Sequence, residues 1–169
     1  NTTFFINGVA PTELVNAASV ASNAAVYASV NADDKYYSDV YTKFDATSLV
    51  REPNEEFTLT LTDAAGNAIS GADVGEWKDG KFTAIEGKKT DAEGKVTLAL
   101  AEGEHLISAK GTSKGTVQYW TSGSAVDVPD FDRPIMAPYC TVSAAIPQGD
   151  VSGYDDGDNV HWLMDSSTG

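Results

Sequence analysis

Hydrophobic and polar residues alternate most regularly between Glu55 and Ala109. In EEFTLTLTD, Phe57, Leu59 and Leu61 take every second place, with Thr58, Thr60 and Thr62 between them. A period of two puts the apolar set on one face of a strand and the threonines on the other. DAAGNAISG follows, with Asp63, Gly66, Asn67 and Gly71 as turn-forming residues. ADVGEW restarts a short strand, and KDGKFTAIEG turns into the next. In KTDAEGKVTLAL, a turn over 91–94 precedes Val96, Leu98 and Leu100 at alternate places. AEGEHLISAKG repeats the arrangement, a glycine-bearing turn and then Leu106 alternating with Ser108. Short strands at roughly ten-residue spacing predict an all-β fold, a sandwich of two sheets, and not βαβ units.

The flanks are less regular. Residues 112–134 mix Gly, Ser, Asp and Pro with aromatics, which predicts a long surface excursion. PIMAPYCTVSAAIP returns as an apolar strand, the last of the sandwich, and Pro138 within it predicts an edge position or a bulge. At the other end, TTFFING reads as a strand closed by the turn dipeptide Asn7-Gly8. The alanines of TELVNAASVASNAAV imitate a helix, but its Val, Ser and Asn content and missing charged face favour β or loop. Three segments result: an N-terminal β element over 1–52, a sandwich over 53–146 and a turn-rich tail over 147–169. The tail holds one apolar island, Val160 to Met164, which needs a partner surface on this chain or on a neighbour.

Composition narrows the function classes. The chain has 169 residues, 41% of them hydrophobic, enough for a packed core in one domain. Its 25 acidic side chains outnumber 11 basic ones, a net charge of -14, which opposes nucleic acids and anionic membrane surfaces. No apolar run of membrane-spanning length occurs. Cys140 is the only cysteine and lies in the apolar run YCTVSA, so it reads as a buried hydrophobe. No basic-then-apolar leader opens the chain and no Met stands first, so the sequence reads as a segment of something longer.

The stretch from FTLTLTDAAGNAISGADV to ISAKG resembles bacterial surface modules with Ig-like or prealbumin-like folds. These include carboxypeptidase-regulatory-like domains and the B-type repeats of collagen adhesins. The matching pieces are Asp63, Gly66, Gly71 and Ala72, then Thr90, Asp91, Gly94, Lys95 and Val96, then Gly103, His105 and Ile107. They cover about a third of the chain directly, and about half if the strand near Tyr139 to Ala144 is included. The resemblance implies an immunoglobulin-like or prealbumin-like β-sandwich and an extracellular or cell-surface location, without naming a ligand. Many B-type repeats carry a lysine isopeptide cross-link, with the lysine in a K-x-D pattern on the first strand. Here that strand reads TLTD, with Thr62 before Asp63, and the glutamate strand reads ISAKG, so no such cross-link is expected.

The candidate chemistry is modest. Tyr119 and Trp120 lie in the 112–134 excursion, where flat rings either pack on the sandwich and its edges or stack on sugars and anchor a protein partner. Trp77, Trp162 and the tyrosines 36, 37 and 41 suit packing, the tyrosines holding the N-terminal element on the sandwich. No cofactor is required by the sequence; acids such as these commonly serve as solvated loop residues or turn caps, and as a Ca²⁺ cluster the best set is Asp127, Asp130 and Asp132 in VDVPDFDRP. Asp33, Asp34 and Asp39, and Asp155, Asp156 and Asp158, form lesser clusters, and none fits the EF-hand spacing. No nucleophile, zinc or phosphate-loop motif occurs, His105 matches a structural family position, and His161 sits in the tail, so no enzyme is expected. The leading expectation is a non-enzymatic module for adhesion or display, binding a protein or glycan on another surface. Two alternatives stand beside it: a fibre or layer subunit that joins copies of itself by strand addition, and a carbohydrate-binding accessory module.

Overall fold

The computed structural model describes residues 2–11, 13 and 16–147. Two of the expectations, the apolar island Val160 to Met164 and the acids at 155, 156 and 158, lie outside them, as do His161 and Trp162. The described chain is all-β, with no helix among the described residues. Its twelve strands are β1 (Thr2–Ile6), β2 (Val26–Val30), β3 (Thr42–Phe44), β4 (Ser48–Arg51), β5 (Glu56–Asp63), β6 (Asp73–Lys78), β7 (Lys81–Lys89), β8 (Lys95–Ala99), β9 (Gly103–Lys110), β10 (Thr112–Thr121), β11 (Ser124–Pro134) and β12 (Cys140–Ala144).

Two sheets share one hydrophobic core. The first has the order β3-β5-β8, the second β4-β12-β9-β6-β7. Across β5 and β8, Phe57 faces Leu98 and Leu59 faces Val96, all turned inward and buried. On the outer face Thr58 and Thr97 stand opposite and share a hydrogen bond of 3.1 Å. The second sheet answers with Val74, Ile107, Ala109, Cys140, Val142 and Ala144. The alternation read in FTLTLTD and KVTLAL is therefore the inner face of the smaller sheet. Cys140 is a fully buried member of this core, and burial, followed by the nearby Asp45 carboxylate, pushes its thiol pKa up.

The larger sheet departs from the sequence reading in two ways. In β9 the fully buried aliphatic is Ile107, while Leu106 is only half-buried, one place off the expected alternation. β9 lies between β6 and β12 in its sheet, and Ile107, Ser108 and Ala109 are buried in succession, so both its faces are covered there and the period of two is lost. β12 is also interior, between β4 and β9, and not an edge. Pro138 precedes that strand instead of interrupting it, so its missing N–H costs no ladder bond. Two strands from within residues 1–52 complete the sheets: β3 pairs antiparallel with β5, and β4 pairs parallel with β12.

The residues that carry the family resemblance brace turns. The Asp63 carboxylate accepts from the N–H groups of Ala65 and Asn67 and from the Asn67 amide. Desolvation raises its pKa, but these bonds outweigh it and leave the pKa below the ordinary value. Thr90 accepts the Ala72 N–H on its hydroxyl and the Gly71 N–H on its carbonyl. Asp91 takes the N–H groups of Glu93 and Lys95, closing the turn into β8.

β1 and β2 form a separate two-stranded sheet, with Phe4 opposite Ala28 and Phe5 opposite Tyr27. The Asn7-Gly8 turn after β1 has φ of +51° and +81°, and Ile6 and Val9 exchange hydrogen bonds across it. Tyr41 fixes this sheet, its ring 5.4 Å from Phe5 and 5.7 Å from Tyr27, while the Tyr27 hydroxyl donates to the Ala137 carbonyl.

Candidate functional site

Residues 112–134, expected as an irregular excursion, form a long antiparallel ribbon of β10 and β11. Among the described residues neither strand pairs with a third. Ten residues of β10 at the usual strand rise give an arm roughly 30 Å long. Its tip is the turn Ser122-Gly123, both with positive φ. A bulge opposite Gly115 to Val117 absorbs Pro129 and Asp130, the latter at φ +54°.

The segment 33–41 docks one face of the arm, from Arg133 at its base to Tyr119 near its tip. Tyr36 packs edge-on against Phe131 at 5.0 Å and tilted against Tyr119 at 5.6 Å. The Arg133 guanidinium donates to the Ser38 carbonyl at 2.8 Å. Val40 clasps the foot of the arm: its N–H donates to the Pro134 carbonyl, and its carbonyl accepts from the Met136 N–H. Of the tyrosines expected to fasten the N-terminal element, Tyr41 does so, Tyr36 fastens the arm, and Tyr37 is exposed.

Two buried acids organise that docking segment. Asp33 accepts from the N–H groups of Lys35, Tyr36 and Ser38 and from the Ser38 hydroxyl. Asp39 accepts from the N–H groups of Ala32 and Asp33. Desolvation pushes the Asp33 pKa up, yet the Ser38 hydroxyl and the three N–H donors together hold it below the ordinary value. A depressed folded-state pKa stabilises the fold above the unfolded value and loses that contribution as pH falls through the folded one. Asp33→Asn is therefore expected to destabilise the chain by about 1–3 kcal/mol at neutral pH. The gap to the native chain should close below about pH 4, the unfolded aspartate value. Urea melts of both chains from pH 7 to pH 3 measure it, and a gap independent of pH would contradict the assignment.

The two faces of the outer arm differ. Alternation and the register place Val117, Tyr119, Val126 and Val128 on the face that meets Tyr36, with Val117 buried, Val126 and Val128 half-buried and Tyr119 38% exposed. The opposite face carries Trp120 beside Ala125 and Gln118 beside Asp127. Trp120 is 73% exposed, the most open large aromatic among the described residues. The Gln118 amide donates to the Asp127 carboxylate at 2.8 Å. The sequence-predicted pair is thus split: Tyr119 helps hold the arm, and Trp120 is displayed.

The acids proposed for Ca²⁺ are not brought together. Asp127 pairs with Gln118, and Asp132 forms a 2.8 Å ion pair with Lys114, whose ammonium also donates to the Asp130 carbonyl. Among the described residues no three His, Cys, Asp or Glu side chains gather in a group fit for a metal. His105 is held between Glu76 at 3.0 Å and the Ala101 carbonyl at 2.9 Å, and Trp77 packs edge-on against Tyr139. Between the arm and its docking segment a cleft of about 230 Å³, lined by Tyr36, Ser38, Val117 and Arg133 among others, is smaller than most ligand pockets. The surface of the arm is the more prominent feature.

These features define an all-β, β-sandwich-like protein with a two-stranded arm. No family model, curated protein or solved structure matches this chain.

Proposed function

We propose that the chain is a non-enzymatic module of an extracellular or cell-surface protein, and that the β10–β11 arm is the part that meets the partner. The observation that carries this reading is the arm itself, a ribbon outside both core sheets with a 73%-exposed indole near its tip. An exposed tryptophan costs solubility and contributes nothing to the core, whereas at a contact it is among the strongest anchors. The docking by Tyr36, Arg133 and Asp33 limits the ordering entropy lost on binding, which favours recognition by a pre-set surface. An immunoglobulin-like or prealbumin-like relationship suits the two core sheets and the turn residues from Asp63 to Gly94. Surface modules of that kind use loops and hairpins on a rigid body for recognition.

The test is a chain in which residues 115–131 are replaced by Asn-Gly. Lys114 and Asp132 stand directly opposite in register, so a two-residue turn closes the ribbon there. Both chains are applied to arrays of immobilised glycans and extracellular-matrix proteins. Binding by the intact chain and its loss in the shortened one is the expected result. Equal binding by both, or none by the intact chain, would contradict the proposal.

A further inference from the structure

We infer that the outward face of the arm takes a neutral pyranose-containing glycan, with Trp120 as the stacking platform and Gln118 and Asp127 as the polar contacts; this rests on reading the arm as the binding element. Trp120 and Gln118 are two residues apart on one strand and share a face, roughly 7 Å apart along it. A sugar ring lying on the indole therefore has its hydroxyl edge beside the Gln118–Asp127 pair. Opposite Trp120 stands Ala125, whose methyl leaves the indole uncovered.

The polar pair has the right unused groups. Gln118 spends one amide hydrogen on an Asp127 oxygen. That leaves its carbonyl oxygen, its second amide hydrogen and the other carboxylate oxygen for outside partners. Adjacent hydroxyls, each both donor and acceptor, match that planar array. A single aromatic ring rimmed by charged and amide groups is a poor protein hot spot, because interface cores are depleted in charge and hot spots are shielded by apolar neighbours. A sugar has one apolar face and a polar rim, and fits. The carboxylate of Asp127 and the chain's net charge of -14 select against acidic sugars.

The experiment is affinity electrophoresis of the full chain through gels holding soluble neutral polysaccharides, namely β-glucan, xylan, galactomannan and starch, with a polyuronic acid as the charged comparison. The expected result is retardation by at least one neutral polymer and none by the polyuronic acid. Trp120→Ala should weaken that retardation about tenfold or more, the scale of a lost aromatic anchor. Asp127→Asn should weaken it by about tenfold through the lost charge-assisted bond, and Trp77→Phe, in β6 of the larger core sheet, should leave it unchanged. Trp120 is exposed, so its removal does not threaten folding. No retardation by any neutral polymer, or retardation that survives Trp120→Ala, overturns the glycan assignment. Should the array still show arm-dependent binding to a matrix protein, the arm remains the binding element and only its ligand class changes.

Discussion

Leu61→Ala is expected to lower stability by about 4 kcal/mol, the upper part of the range for fully enclosed leucines. Leu61 has no exposed surface and belongs to the single core between the two sheets. Its backbone leaves little room for collapse into the hole. The Leu61 N–H donates to Gly94 and its carbonyl accepts from Ile69 on one edge, while β3 pairs along the other, so the strand is held on both sides. Surroundings that cannot relax keep the cavity and its cost. Urea unfolding should show a lower midpoint with an unchanged slope. A loss below about 1 kcal/mol would mean that the sheets are not packed face to face at this position.

Gly94→Ala is expected to cost about 3 kcal/mol, although it adds one methyl group. Gly94 closes the Asp91 turn at φ +75°, a conformation that disfavours any side chain by about 1–2 kcal/mol. A β-carbon there would also stand 2.4 Å from the Leu61 carbonyl oxygen and 3.3 Å from the Ile69 nitrogen. Something must shift, and what stands in the way is backbone that carries the β5 hydrogen bonds. The thermal midpoint should fall by several degrees for each kcal/mol. A midpoint within about 2 °C of the native chain would show that the turn is looser than its hydrogen bonds imply.

How much of this could be read from the chain depended on burial. β5 and β8 were legible because each has one wet face and one dry face, so Phe57, Leu59, Leu61, Val96 and Leu98 stand out against threonine and lysine. β9 is buried on both faces from Ile107 to Ala109, where the contrast is lost, and its buried set starts at Ile107 and not at Leu106, whereas β12 keeps a plain alternation with Cys140, Val142 and Ala144 inward. β3 and β4 are only three and four residues long, too short for a periodic signal, and their membership of the core sheets comes from pairing partners far along the chain. The arm was hidden because its alternation is brief. Val117 and Tyr119 alternate with Gln118, and Val126 and Val128 with Asp127, before Pro129 and Asp130 break the pattern at the bulge. The signal available was local: the turn dipeptide Ser122-Gly123 between TVQYW and AVDV, two runs of good strand formers.

The candidate site was legible in part for similar reasons. Exposed aromatics in a segment without core periodicity drew attention to Tyr119 and Trp120, but strand alternation had to be known before they could be set on opposite faces. Spacing alone also proposed Asp127, Asp130 and Asp132 as one oxygen cluster. In the ribbon a bulge at Pro129 and Asp130 separates them, and Lys114 and Gln118 take up the outer two. The role of Asp33 depends on hydrogen bonds within one short loop, which no pattern of residue types announces.

The measurement that bears most directly on a self-sufficient β body with a separate binding arm is the thermal melt of the chain carrying Asn-Gly in place of 115–131. Loss of the Tyr36 contacts with Tyr119 and Phe131 should lower stability by only about 2 kcal/mol, and the transition should stay single and cooperative. A broad or absent transition would place the ribbon in the structural core and contradict the account.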